Sequence, residues 1–263
     1  MSDIARKNIP TWRQFLLPAL LVSLVCGAYW LKVRPSSALT HVAGQESTDT
    51  LLALGISLHN AKQYDDALAA YKRVLQLDPT HPQAHYNIAQ IYNDRQQYEA
   101  AQREYEAALK ADSHWLDARM NLGVVLYRQR QFAAAAEEFR KVLAASPRHP
   151  LALFDLGVSL LGMGETDQAI RWLTEALRED PNRADSHYYL GQALERRGRL
   201  AEAKAALLKA LDLNPRNADA YILLAQVYEA QGERRLALDA LAKAAELNPA
   251  LAPALPPSGD GGK

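Results

Sequence analysis

From Thr48 onward, small, large apolar and proline positions return in phase every 34 residues. With Thr48 as position 1, successive registers begin at Thr48, Pro82, Leu116, Pro150, Ala184 and Ala218, with no insertion between them. Position 7 reads Leu54, Ile88, Leu122, Leu156, Leu190 and Leu224, and position 8 is always glycine or alanine: Gly55, Ala89, Gly123, Gly157, Gly191 and Ala225. Position 20 is alanine throughout, from Ala67 to Ala237, and position 24 is large: Tyr71, Tyr105, Phe139, Leu173, Leu207 and Leu241. Positions 4, 7, 8 and 11 are read as one apolar face, because they follow the i, i+3, i+4, i+7 spacing of a helix. Positions 20, 24, 27 and 28 repeat that spacing after a polar break. The pattern predicts two helices per repeat. Small residues at positions 8 and 20 allow the paired axes to approach within the usual 8–10 Å. Proline at position 32 (Pro79, Pro147, Pro181, Pro215, Pro249) stops the second helix because it cannot continue the hydrogen-bond ladder. One pair cannot bury its own apolar face, so the period predicts a stack of pairs sharing a core.

In these positions, kept in phase through six repeats, the chain resembles the tetratricopeptide repeat family, over residues 48–251. The resemblance implies an all-α fold: a right-handed superhelical solenoid of six helix-turn-helix repeats, with a concave groove lined by the first helix of each. Members of that family are mostly adaptors, co-chaperones and assembly factors. Two departures carry expectations. Ser113 replaces the position-32 proline and Trp115 follows it, so this junction is expected to bend differently. No polar capping helix follows repeat 6, which leaves Leu238, Ala242 and Ala245 poorly covered unless Leu251 and Leu255 fold back over them. The Pro/Gly-rich tail, residues 252–263, is expected to be disordered.

Ahead of the repeats, after a short basic segment (1–14), the run from Phe15 to Leu31 contains no charged residue. As a helix it would be about 26 Å long, close to the ~30 Å hydrocarbon core of a bilayer. Trp12, Tyr29 and Trp30 sit where interfacial anchors belong, and Lys32 and Arg34 can snorkel to lengthen the span. Residues 15–33 are therefore read as a single transmembrane anchor. The rival is a signal peptide cut after Ala38; against it, the apolar run is longer than an ordinary signal core. Arg6, Lys7 and Arg13 before the run outnumber Lys32 and Arg34 after it, which places the repeats on the exported side of an inner, cytoplasmic bacterial membrane. Within the linker 34–47, the dozen or so residues from Pro35 to Ser47 reach roughly 40–45 Å when extended, which keeps the repeats beside the membrane.

Charge removes several functions. Thirty basic residues balance thirty acidic ones, so there is no global cationic field for nucleic acid. The lone cysteine, Cys26, excludes an intramolecular disulfide and a cysteine-rich metal site. His81 and His85 share an i, i+4 spacing, but His81 falls in a junction and no third ligand converges, so no metal is expected. Asp78, Asp112 and Asp180 recur just before position 32, which marks a turn role. No phosphate loop or nucleophile elbow occurs. The chain is read as non-catalytic, without a cofactor.

In the family's geometry positions 2, 5, 6, 9, 12 and 13 face the groove. There, repeats 3 and 4 carry Met120, Val124, Tyr127, Leu151, Phe154, Val158 and Leu161, extended by Tyr188 and Tyr189. These side chains lie off the intra-repeat core pattern, so they are expected to form an exposed apolar site for a protein partner, with Phe154 as its anchor. Burial on a tightly wound superhelix is the alternative. Position 6 reads Asn87, Asn121 and Asp155 in repeats 2 to 4. Amide side chains both donate and accept, so this short ladder is a candidate holder of an extended peptide backbone, against the plainer reading of ordinary surface polarity. The leading function is a membrane-anchored interaction scaffold or assembly factor for a membrane or envelope complex. The alternative is a peptide-binding chaperone or adaptor that delivers extended clients to a membrane machine.

Overall fold

The computed structural model describes residues 47–249, and the predicted anchor, linker and tail lie outside the described residues. Twelve helices and no strand occur among the described residues: α1 Thr48–Asn60, α2 Tyr64–Leu77, α3 Pro82–Asp94, α4 Tyr98–Ala111, α5 Leu116–Arg128, α6 Phe132–Ala145, α7 Pro150–Gly162, α8 Thr166–Glu179, α9 Ala184–Arg196, α10 Leu200–Leu213, α11 Ala218–Ala230 and α12 Arg234–Leu247. Each first helix occupies positions 1–13 and each second helix positions 17–30, as the period predicts. None is long and apolar enough to cross a membrane, among the described residues. The chain divides into two compact units at Val74/Leu75. The first contains α1 and most of α2; the second runs on through the remaining repeats.

The helix pairs close where the small residues predict. A Cβ built on Gly123 would lie 2.6 Å from Phe139, one on Gly157 2.7 Å from Leu173, and one on Gly191 2.7 Å from Leu207. Position 8 therefore receives the large side chain of position 24 from the partner helix. The alanines of position 20 are buried in every repeat. Leu54, placed on the predicted core face of α1, is instead 40% exposed.

Turns and caps are equally periodic. Position 15 is left-handed in all six repeats: Lys62, Gln96 and Arg130 at φ near +60°, and Gly164, Gly198 and Gly232 at +70° to +81°. This turn reverses the chain between paired helices, and three of its occupants are side-chain-bearing residues in a region that glycine enters without strain. His81, His149 and Asn217 cap their first helices by accepting the backbone N–H three residues on, which explains the junction histidines without a metal. Asp78, Asp112 and Asp180 accept the N–H of Thr80, His114 and Asn182, the turn role expected of them. The Ser113 junction does not bend differently. Asp112 adopts φ −133°, ψ 93°, beside −134°, 83° at Ser146 in the next repeat. Trp115 stacks on Tyr86 at 4.5 Å and holds the standard course.

Position 4 corrects the sequence reading, which took it as apolar. His85 meets Glu104 at 2.7 Å and the Pro79 carbonyl at 3.1 Å. Arg119 donates to Glu138 at 2.7 Å and to the Ser113 carbonyl at 2.7 Å. His187 reaches the Pro181 carbonyl at 2.8 Å. His85, Arg119 and His187 thus tie their helices to the preceding junction, and where position 23 is glutamate the side chain at position 4 also contacts its carboxylate. Where position 4 is Leu51 or Leu153, position 23 is Ala70 or Trp172 and both members are apolar.

Candidate functional site

The first helices of repeats 3, 4 and 5 place side chains of positions 5, 6, 9, 12 and 13 around one hollow. Val124, Tyr127 and Arg128 come from α5, Phe154, Asp155 and Val158 from α7, and Tyr189 from α9, with Phe139 of α6 behind them. The hollow holds about 300 Å³. Five of the nine residues assigned to the partner site thus line a single cavity.

Their exposure differs from the expectation. Met120, Phe154, Val158 and Leu161 are buried, Phe154 at 8% exposure, within a core that spans repeats 2 to 5. The winding of the repeats explains it: residues that leave the intra-repeat face of one helix meet the next repeat. Tyr189 meets Phe154 edge-to-face at 5.7 Å, Tyr188 meets Tyr189 at 5.1 Å, and the Arg183 guanidinium lies 4.6 Å over the Phe154 ring. The intrinsic burial weighed as the alternative therefore holds for these four. Leu151 alone of the nine is largely exposed, at 43%. Val124, Tyr127, Tyr188 and Tyr189 are half-buried.

The three members of the polar ladder differ in their surroundings. Asn121 donates through Nδ2 to the Tyr86 hydroxyl at 3.0 Å. Asn87 is buried, and its Nδ2 has no hydrogen-bond partner. Asp155 differs in kind. No hydrogen bond reaches its carboxylate, and burial pushes its pKa up to about 6, partly offset by Arg183. The Tyr127 and Tyr189 phenols lie beside it on the wall of the hollow. Burial raises both phenols, Tyr189 to about 12, with the Asp155 charge adding to the shift of Tyr127. They are neutral donors at any physiological pH.

The same juxtaposition recurs outside the hollow. Tyr86 is raised by burial and by Asp117, and Tyr188 by burial and by Asp219. Sequence reading named Tyr127, Tyr188, Tyr189 and Asp155 on this face but gave no role to Asp117, Asp185 and Asp219. Their signal was present, since Asp117, Asp185 and Asp219 all occupy position 2. The face brings aromatic and apolar side chains around one carboxyl whose pKa burial has raised. No group of His, Cys, Asp and Glu among the described residues could hold a metal ion.

This fold and face define an interaction repeat protein, and comparison with known proteins agrees. A tetratricopeptide repeat model matches residues 58–121, 126–194 and 160–210, more than half of the chain. Further models of the same repeat match 94–150, 195–232 and 218–251. The chain belongs to the tetratricopeptide repeat family. No curated protein sequence matches it. Among solved structures it is similar to PilW, a widely conserved type IV pilus biogenesis factor, at 21% identity and TM-score 0.67, covering 78% of this chain and 96% of that one. PilF of Pseudomonas aeruginosa follows at 20% and 0.65, with 77% and 92% covered. YrrB, a TPR protein with an unusual peptide-binding site, stands at 24% and 0.56, with 68% and 93% covered. At these identities the likeness is one of fold.

Proposed function

We propose that this protein is a non-catalytic, membrane-anchored scaffold that helps assemble a membrane or envelope complex by holding a protein partner on its first-helix face. The observation that carries the reading is the hollow at α5, α7 and α9, where Val124, Tyr127 and Tyr189 are half-buried around an unpaired carboxylate. Partly open aromatic side chains around a concavity are the composition of interaction hot spots. The biogenesis role of PilW and the peptide-binding site of YrrB are in keeping with it. In this proposal residues 15–33 span an inner membrane once and the repeats lie on the exported side. The unpartnered Nδ2 of Asn87 is the one feature that favours the peptide-binding chaperone instead.

A photo-crosslinking residue at Tyr127, compared with one at Arg140 on α6, tests the site in cells. The scaffold reading expects a subunit of a membrane or envelope complex to be trapped from Tyr127 only. Equal trapping from both positions refutes the groove. Reporter fusions after Gly44 and at the C-terminus test topology, and cytoplasmic activity at both moves the partner pool to the cytosol.

A further inference from the structure

We infer that the hollow between α5, α7 and α9 takes a single basic side chain, lysine or arginine, from the partner segment, with the Asp155 carboxylate as its counter-ion and Tyr127 and Tyr189 as its walls. The inference rests on the proposed partner-binding reading and gives that partner a chemistry. Its first support is size. About 300 Å³ is the lower end of the range for ligand cavities, enough for one long side chain and too little for a folded surface.

Charge complementarity supplies the second support. The Asp155 carboxylate accepts no hydrogen bond, and a carboxylate so placed is strongly stabilised by a cation that brings its own N–H donors. Of the cations already present, Arg128 and Arg196 donate elsewhere, and the buried Nε of Arg183 has no hydrogen-bond partner. Arg128 donates to the Tyr98 hydroxyl at 3.5 Å and lies 5.9 Å from that ring. Arg196 donates to the Leu161 carbonyl at 3.1 Å. Arg183 is stacked on Phe154 and acts on Asp155 only through its field. The methylene stem of a lysine or arginine matches the remaining wall, because such side chains bury their stems on apolar surface and their heads against charge or aromatic faces. A carboxylate ligand would meet Asp155 and nearby Asp185 and Asp219, which already act on Tyr189.

The test uses the full chain in a non-ionic detergent and three labelled dodecapeptides of alternating alanine with lysine, acetyl-lysine or glutamate. Binding is followed by fluorescence anisotropy to about 1 mM peptide, the weak end of specific recognition. The lysine peptide is expected to bind, and the other two are not. Asp155→Asn should weaken the lysine peptide at least tenfold, while Asp212→Asn, an exposed carboxylate on α10 paired with Lys209, leaves it unchanged. Binding should also fall as the pH drops through about 6, where Asp155 takes up its proton. The groups facing Asp155 are Tyr127 and Arg128 on α5, Tyr189 on α9 and Arg183 at its cap, none of which changes charge in that interval. Circular-dichroism melting confirms that both variants fold. No binding of the lysine peptide, equal binding by Asp155→Asn, or preference for the glutamate peptide each overturns the inference. Trapping of a partner from Tyr127 would still stand in those cases, so the two readings fail separately.

Discussion

Position 24 holds Leu173 in repeat 4 and Leu241 in repeat 6, the same residue at the same place in the same template. Leu173 is fully buried, while Leu241 is half-buried. The contrast extends through both repeats. In α7 every residue from Ala152 to Leu161 except Asp155 is buried, whereas α12 buries only Ala237, Ala240 and Ala244 and exposes Leu236, Leu238 and Leu247. Helix α7 packs between α6 and α8 and also touches α5 and α9, whereas α12 has its packing partner in α11. In a stacked architecture a residue's burial is a sum of its own repeat and its neighbours, and only the first term is written in the repeat.

That difference can be broken or sharpened by mutation, most sharply with the paired leucines. Leu173→Ala should cost about 2–5 kcal/mol of unfolding free energy, and Leu241→Ala about 1 kcal/mol or less. Chemical denaturation of both variants measures it, and equal costs would show that α12 is packed as tightly as α8. Next comes the ion pair of repeat 3. Arg119→Leu leaves Glu138, at 12% side-chain exposure, with only Lys141, and should cost about 1–3 kcal/mol. Adding Glu138→Ala copies the Leu51/Ala70 pair of repeat 1 and should restore most of the loss. A double-mutant cycle reads the coupling, and strictly additive effects would show that the pair is not a unit.

Asp155 gives an effect of opposite sign. Its pKa is near 6 in the folded protein against 3.8 unfolded, so between those values the folded state binds the proton more tightly. Stability contributed by this group is therefore present at low pH and lost as the pH rises through about 6, by up to about 3 kcal/mol. Asp155→Asn should raise the thermal midpoint at pH 7.5 and converge with the parent protein below about pH 4. A variant less stable at pH 7.5 would mean that Arg183 outweighs burial. The smallest effect belongs to α12: Leu238→Gln should change stability by no more than about 0.5 kcal/mol. A larger loss would show that its exposed face is covered in solution.

The fold was legible almost residue by residue, because a helix pair is specified locally. Position 8 must be small for position 24 to enter, which recurs in all six repeats, and proline at position 32 stops the second helix in five of them. Position 4 was misjudged because periodicity reports which face turns inward, not whether a polar group there finds a partner. Glu104 and Glu138 lie 19 residues away from His85 and Arg119, beyond the reach of any single-helix pattern.

The sequence by itself determined the class of protein, the repeat register, the helix limits and the set of residues on the first-helix face. The tertiary structure alone decided which of those residues remain available. Phe154 and Leu161 read as open and are buried, because adjacent repeats wind closely enough for Tyr189 and Arg183 to cover Phe154. Asp155 read as one rung of a polar ladder and is an unpaired carboxylate in an aromatic hollow. Periodicity along the chain sets where a side chain points, but solvation depends on what the following repeat brings opposite it. That is settled only when the helices pack.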